Sequence, residues 1–143
     1  MDIAHLLARR DASEIVTCSA DTPMRDALAI LARKRIGAMP VMHDGAIAGI
    51  FSERDVIYCL EAEGEASLWK PVGEVMTAPP ISVSPATRID DALELMTRRR
   101  IRHLPVMDGE RMVGFVSIGD LVKRQAEELA QDAQAMRAYI QTA

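Results

Sequence analysis

The chain has 143 residues, a formal net charge of −4 and two cysteines. That length suits one compact unit with a real hydrophobic core, and the acidic balance gives no reason to expect a nucleic acid as partner. Aromatic residues make up only 3%, which leaves the core to Ile, Leu, Val, Ala and the nine Met. Cys18 and Cys59 form no CxxC pair, so a reducing compartment fits them best. Met1-Asp2-Ile3-Ala4 does not begin a signal peptide, and no apolar run approaches the ~18 residues that span a bilayer. The expectation is a cytoplasmic protein without a membrane partner.

In chain order, residues 15–17 are β-prone and lead to a turn at Pro23, which suits the first helical position because its missing N–H costs nothing there. Met24, Ala27, Leu28 and Leu31 then form the i, i+3, i+4, i+7 stripe of an amphipathic helix. Its end, Arg33-Lys34-Arg35, is basic, as the negative end of a helix dipole favours. Residues 38–42 and 47–51 read as two strands of a hairpin around Asp44-Gly45, and a second helix starts at Ser52.

The same series returns 65 positions later. Pro40-Val41-Met42 becomes Pro105-Val106-Met107, Asp26-Ala27-Leu28 becomes Asp91-Ala92-Leu93, and Gly49, Ser52 and Asp55 become Gly114, Ser117 and Asp120. The second copy has its own β-prone stretch (81–83), an apolar stripe at Ile89, Ala92, Leu93 and Met96, a basic end and a hairpin around Asp108-Gly109-Glu110. The predicted fold is therefore α/β (α+β): two tandem β-α-β-β-α units packed about a pseudo-twofold axis, plus a long C-terminal helix. The first repeat covers 1–62, a linker with one short helix 63–79, the second repeat 80–124 and a helical extension 125–143. Trp69 in the linker is expected to anchor on the core.

In the extension, Val122, Ala126, Leu129, Ala133, Met136 and Ile140 recur at alternate spacings of four and three, a heptad pattern that suits packing on a second subunit. Folding back on its own domain is the alternative.

Both copies carry Gly-h-x-Ser-x-x-Asp at the end of the last strand, at Gly49–Asp55 and Gly114–Asp120. With Met39-Pro40-Val41 and Leu104-Pro105-Val106, this resembles the CBS-domain signature, and the resemblance runs from Ile15 to about Lys123. It is similar to the short CBS-pair proteins in which the pair is the whole chain. The resemblance implies clefts between the repeats that bind AMP, ADP, ATP, NAD(H) or S-adenosyl compounds, with AMP or NAD(H) favoured.

It implies that Asp55 and Asp120 bond ribose hydroxyls while Ser52 and Ser117 lie near phosphate. A charged carboxylate accepting two vicinal hydroxyls contributes about 1.5–3 kcal/mol per bond. The matching base-contact positions are Thr17, Ala38, Met39 and Pro40 in one cleft, and Ser82, His103, Leu104 and Pro105 in the other. Gly49 and Gly114 are expected to let the strand approach a ligand. Arg54, Arg100 and Arg102 are candidate phosphate ligands, although the basic run Arg98-Arg99-Arg100 also suits a solvated helix end. His103 either meets a base or is a partly exposed strand residue. Ser-x-x-Asp at a helix start is also a capping box.

Because Arg54 corresponds to Gly119, and Ala38 to His103, the two clefts are expected to be unequal. His5, His43 and His103 share no metal-ligand spacing with Cys or carboxylates. No Walker loop, Gly-x-Ser-x-Gly elbow or HExxH points to an enzyme. The expected function is a regulatory sensor of adenosine nucleotides that acts on a partner protein as a homodimer. The alternative is a dimerisation scaffold with degenerate clefts.

Overall fold

A computed structural model describes residues 1–142; Ala143, the end of the predicted extension, lies outside them. The chain opens with α1 (Ile3–Leu7), whose N-cap Asp2 accepts from the His5 amide, and a 3-10 turn at Ala12–Glu14. The first repeat holds β1 (Cys18–Ser19), α2 (Met24–Lys34), β2 (Ala38–His43), β3 (Ala46–Ser52) and α3 (Glu53–Glu63). The linker adds a 3-10 turn (Gly64–Trp69) and α4 (Val72–Val75). The second repeat holds α5 (Ile89–Arg99), β4 (His103–Asp108), β5 (Arg111–Ser117) and the start of α6 (Ile118–Thr142). This is the predicted mixed fold with two small sheets and a long terminal helix.

The helices bury the expected faces. Met24, Ala27 and Leu31 of α2 and Ile89, Ala92 and Met96 of α5 are buried. Pro23 is the N-cap rather than the first helical residue: its extended ψ of 143° aims its carbonyl at the amides of Asp26 and Ala27. Both basic ends close in a left-handed residue, Arg35 (φ 53°) and Arg100 (φ 55°), where glycine is more usual.

Each hairpin pairs across a two-residue turn, His43 with Ala46 and Asp108 with Arg111. Asp44 and Gly45 both have positive φ, as a type I′ turn requires, whereas only Gly109 does in the second hairpin.

The opening strands differ from expectation. The amide of Ile15 closes the 3-10 turn on Ala12, so pairing starts only at Cys18, which runs parallel to β2 opposite Val41. In the second repeat the strand is reduced to one parallel bridge, Val83 opposite Val106. Pro79, Pro80 and Pro85 flank it and cannot donate to a ladder.

Two cores result, and each borrows a helix. Val72 of α4 is buried with Met24, Met39, Val41 and Phe51 of the first repeat, while Ile3 of α1 is buried with Ile89, Met96, Leu104 and Val116 of the second. The N-terminal residues ahead of β1 thus complete the second core. Trp69 is not a core anchor: it is 66% exposed, with the Arg25 guanidinium 5.0 Å over its ring, because Leu68 and Val72 take the inward positions. Among the described residues no helix is long and apolar enough to cross a membrane.

Candidate functional site

Two clefts open on the seam between the repeats, and Ala38 and His103, which correspond to each other, line both.

The first cleft lies over the start of α3. Ser52 caps that helix by accepting from the Asp55 amide at 3.4 Å, and Asp55 Oδ2 accepts from the Ser52 amide (2.8 Å) and hydroxyl (3.1 Å). The other oxygen of Asp55 accepts from the Thr77 hydroxyl at 3.0 Å. Both carboxylate oxygens therefore have partners within the chain. Arg54 reaches across to the second repeat, where its Nη1 donates to the Arg100 carbonyl at 2.7 Å. The cavity is small, about 120 Å³, with Thr77, Pro79, Pro80 and Ile81 forming one wall.

The second cleft lies over the start of α6 and is roomier, about 390 Å³. Asp120 Oδ2 accepts from the Ser117 amide at 2.8 Å, and the Asp120 amide donates to Ser117 Oγ at 3.1 Å. Arg10 spans both oxygens of the Asp120 carboxylate, at 2.8 and 3.3 Å. Partial burial pushes the Asp120 pKa up, but the Arg10 bond and the Ser117 amide outweigh it and hold the carboxyl below its ordinary value. Ile15, Val16, Ile36 and Ala38 form an apolar wall from the first repeat. On the other side His103 stacks on Phe115, with centroids 5.6 Å apart and planes 13° apart. Burial lowers the His103 pKa, partly opposed by Asp120 and Glu53.

Of the expected site residues, Ala38, Ser52, Arg54, Arg102 and His103 line the first cleft, so that Ala38 and His103, expected in separate clefts, meet in one; Asp55 is held against it through Ser52 and Thr77. In the second, Ala38, His103, Ser117 and Asp120 come together. Met39, Pro40, Leu104 and Pro105 are buried and line neither cleft; Met39 and Leu104 are core side chains. Thr17 and Ser82 are exposed and line neither, while their neighbours Val16 and Ile81 do. Side chains alternate along both segments, with Val16 and Cys18 inward about Thr17 and Ile81 and Val83 inward about Ser82. Arg100 contributes its carbonyl, not its guanidinium, to the seam.

Protein side chains pack against both motif glycines, and Gly114 also lines the second cleft. A Cβ on Gly49 would meet Met76 Sδ and the Thr77 carbonyl, both at 2.7 Å, and one on Gly114 would meet Leu7 Cδ2 at 2.6 Å.

Sequence reasoning missed Arg10, Leu7 and Thr77, because all lie in the segments that lead into the repeats. A weaker echo was available: Ile3 and Leu7 share the spacing of Val72 and Met76, 69 positions on, and the two pairs do the same packing work in the two halves.

The duplicated β-α-β-β-α fold with clefts on its seam defines a class, and the comparisons agree with it. A family model described as CBS domain matches residues 7–62 and 72–127. The chain belongs to the CBS-domain family. It is 38% identical over 129 residues to the mitochondrial CBS domain-containing protein CBSX3 of Arabidopsis thaliana, covering 87% of this chain but only 63% of that protein. The crystal structure of the CBS-domain protein ATU1752 from Agrobacterium tumefaciens superposes with a TM-score of 0.81 at 35% identity, covering 87% of this chain and 92% of that one. CBSX2, solved in complex with AMP, shares the fold with a TM-score of 0.76 at 24% identity, covering 88% and 96%.

Proposed function

We propose that the chain is a non-catalytic sensor that binds an adenosine nucleotide between its repeats and passes occupancy to a partner protein. The Asp120 cleft carries this reading. A carboxylate held in its charged form opens onto about 390 Å³ of largely apolar space, a size and lining that suit a small organic ligand. Its two oxygens match vicinal ribose hydroxyls, and the wall of Ile15, Val16 and Ile36 facing His103 and Phe115 suits a purine face. AMP, or the adenosine half of NAD(H), has that chemistry, and CBSX2 is a fold relative described with AMP.

Both repeats line the cleft, so a ligand shifts their relative angle by its differential affinity for the two arrangements. A homodimer belongs to the same reading. Ile57 and Val122, at corresponding positions of α3 and α6, are 62% and 49% exposed, an apolar pair that a second copy would cover. The two unpaired thiols fit a reducing compartment such as the cytoplasm.

The scaffold alternative keeps some support at the other cleft, where the cavity is about 120 Å³ and Asp55 is already satisfied by Thr77. Thermal shift with AMP, ADP, ATP, NAD+, NADH and S-adenosylmethionine separates the two. At a hundredfold excess over Kd, binding adds about 2.7 kcal/mol. AMP is expected to stabilise wild type and Asp55→Ala, with the shift lost in Asp120→Ala. No shift with any of the six leaves the scaffold reading.

A further inference from the structure

Arg10 lies ahead of β1, between α1 and the 3-10 turn, yet it takes both oxygens of the Asp120 carboxylate at the far end of the chain. Its segment is fixed in place. The Arg10 amide donates to the Leu7 carbonyl at 2.9 Å, and Leu7 is seated where Gly114 leaves room. Asp55 has no such cation on its carboxylate and is met instead by the neutral Thr77 and Ser52 hydroxyls.

Beyond Asp120 the cleft continues into a second hollow of about 290 Å³. The hollow shares Arg10 and Asp120 with the cleft and adds Arg9, Lys123, Arg124 and Glu127. Arg124 is paired with Glu127 at 3.3 Å. Among the described residues, Arg9 and Lys123 have no ion pair or hydrogen bond, which leaves their charge uncompensated beside the carboxylate.

We propose that this hollow is an anion subsite and Arg10 an ionic latch over it, so that the Asp120 cleft selects nucleoside 5′-phosphates over uncharged or cationic adenosine compounds. The proposal rests on reading Asp120 as the carboxylate that receives the ribose. A ribose that takes those oxygens must displace Arg10. With an uncharged nucleoside the released guanidinium has lost its counter-ion, and that loss counts against binding. A 5′-phosphate gives Arg10 a new bidentate partner, with Arg9 and Lys123 beside it. A sulfonium meets the same cations with like charge. Selectivity thus comes from what the wrong ligand breaks as much as from what the right one makes.

Calorimetric titration of AMP and adenosine into wild type, Arg10→Ala, Lys123→Ala and Asp120→Ala tests this. Wild type is expected to bind AMP at least tenfold tighter than adenosine. In Arg10→Ala adenosine should tighten severalfold while AMP weakens, taking the ratio towards unity. Lys123→Ala, an exposed change, should narrow the ratio by weakening AMP alone. A wild-type ratio in Arg10→Ala overturns the latch. So does an equal loss of both ligands there with the ratio unchanged in Lys123→Ala, which would make Arg10 a merely structural residue. The underlying reading fails by a separate result: no AMP binding to wild type, or binding undiminished in Asp120→Ala, and either removes the latch with it.

Discussion

His103 stands where Ala38 stands in the first repeat, and this one difference places a titratable ring on the seam that both clefts share. Burial against Phe115 disfavours the imidazolium, Arg102 adds to that, and the attraction of Asp120 and Glu53 only partly offsets it. The folded-state pKa is therefore below the ordinary 6.5. For a base with a lowered pKa, the unfolded chain takes up the proton first. The stability from neutral His103 is whole above pH 6.5 and is lost as pH falls from there towards the folded-state value. A lower melting temperature at pH 5.5 than at pH 7.5 is the expected result, with the difference shrinking in His103→Gln. An equal difference in that variant would assign the pH dependence to other groups.

At the scale of elements, what was legible in the sequence was what repeats. The stripes of α2 and α5, the Asp-Gly hairpins and the paired Ser-x-x-Asp helix starts each involve residues a few positions apart, and local spacing determines them. The segments leading into each repeat were not legible. Which residue of Ile15-Val16-Thr17 faces the cleft depends on the 3-10 turn before it, and Arg10 meets Asp120 across 110 positions. No periodicity reports a contact of that kind.

Helix α6 lies between these cases. Its length was legible, and its beginning caps the Asp120 cleft, but it does not fold back: Leu129, Met136 and Ile140 of the heptad stripe are each more than half exposed. A chain lacking residues 129–143 loses little intramolecular packing. Compared at concentrations where both chains are monomeric, it should keep its unfolding free energy to within about 0.5 kcal/mol, as changes at exposed sites do. Solution mass by light scattering is expected to fall from dimer to monomer. An unchanged dimer would assign the interface to the faces around Ile57 and Val122 alone.

At the scale of the whole molecule, the two repeats are not two domains in series. Ile3 and Val72 are both fully buried, each in the core of the half that its sequence position does not suggest. The strap from α1 to β1 crosses the mouth of the Asp120 cleft, and the strap from α4 to α5 walls the Asp55 cleft, so the segments that exchange also line the ligand space. A ligand in either cleft therefore presses on both cores. This cross-connection makes cooperativity testable. Ile3→Ala removes a fully buried side chain and should cost about 2–5 kcal/mol. Although Ile3 lies at the N-terminal end of the chain, the loss should move one urea transition common to the whole molecule, with backbone NMR signals of the β2–β3 hairpin in the first half and of the β4–β5 hairpin in the second lost together. Two transitions, of which only the one seen at β4–β5 moves, would mean that the halves unfold independently. The exchanged helices would then join the repeats without coupling them.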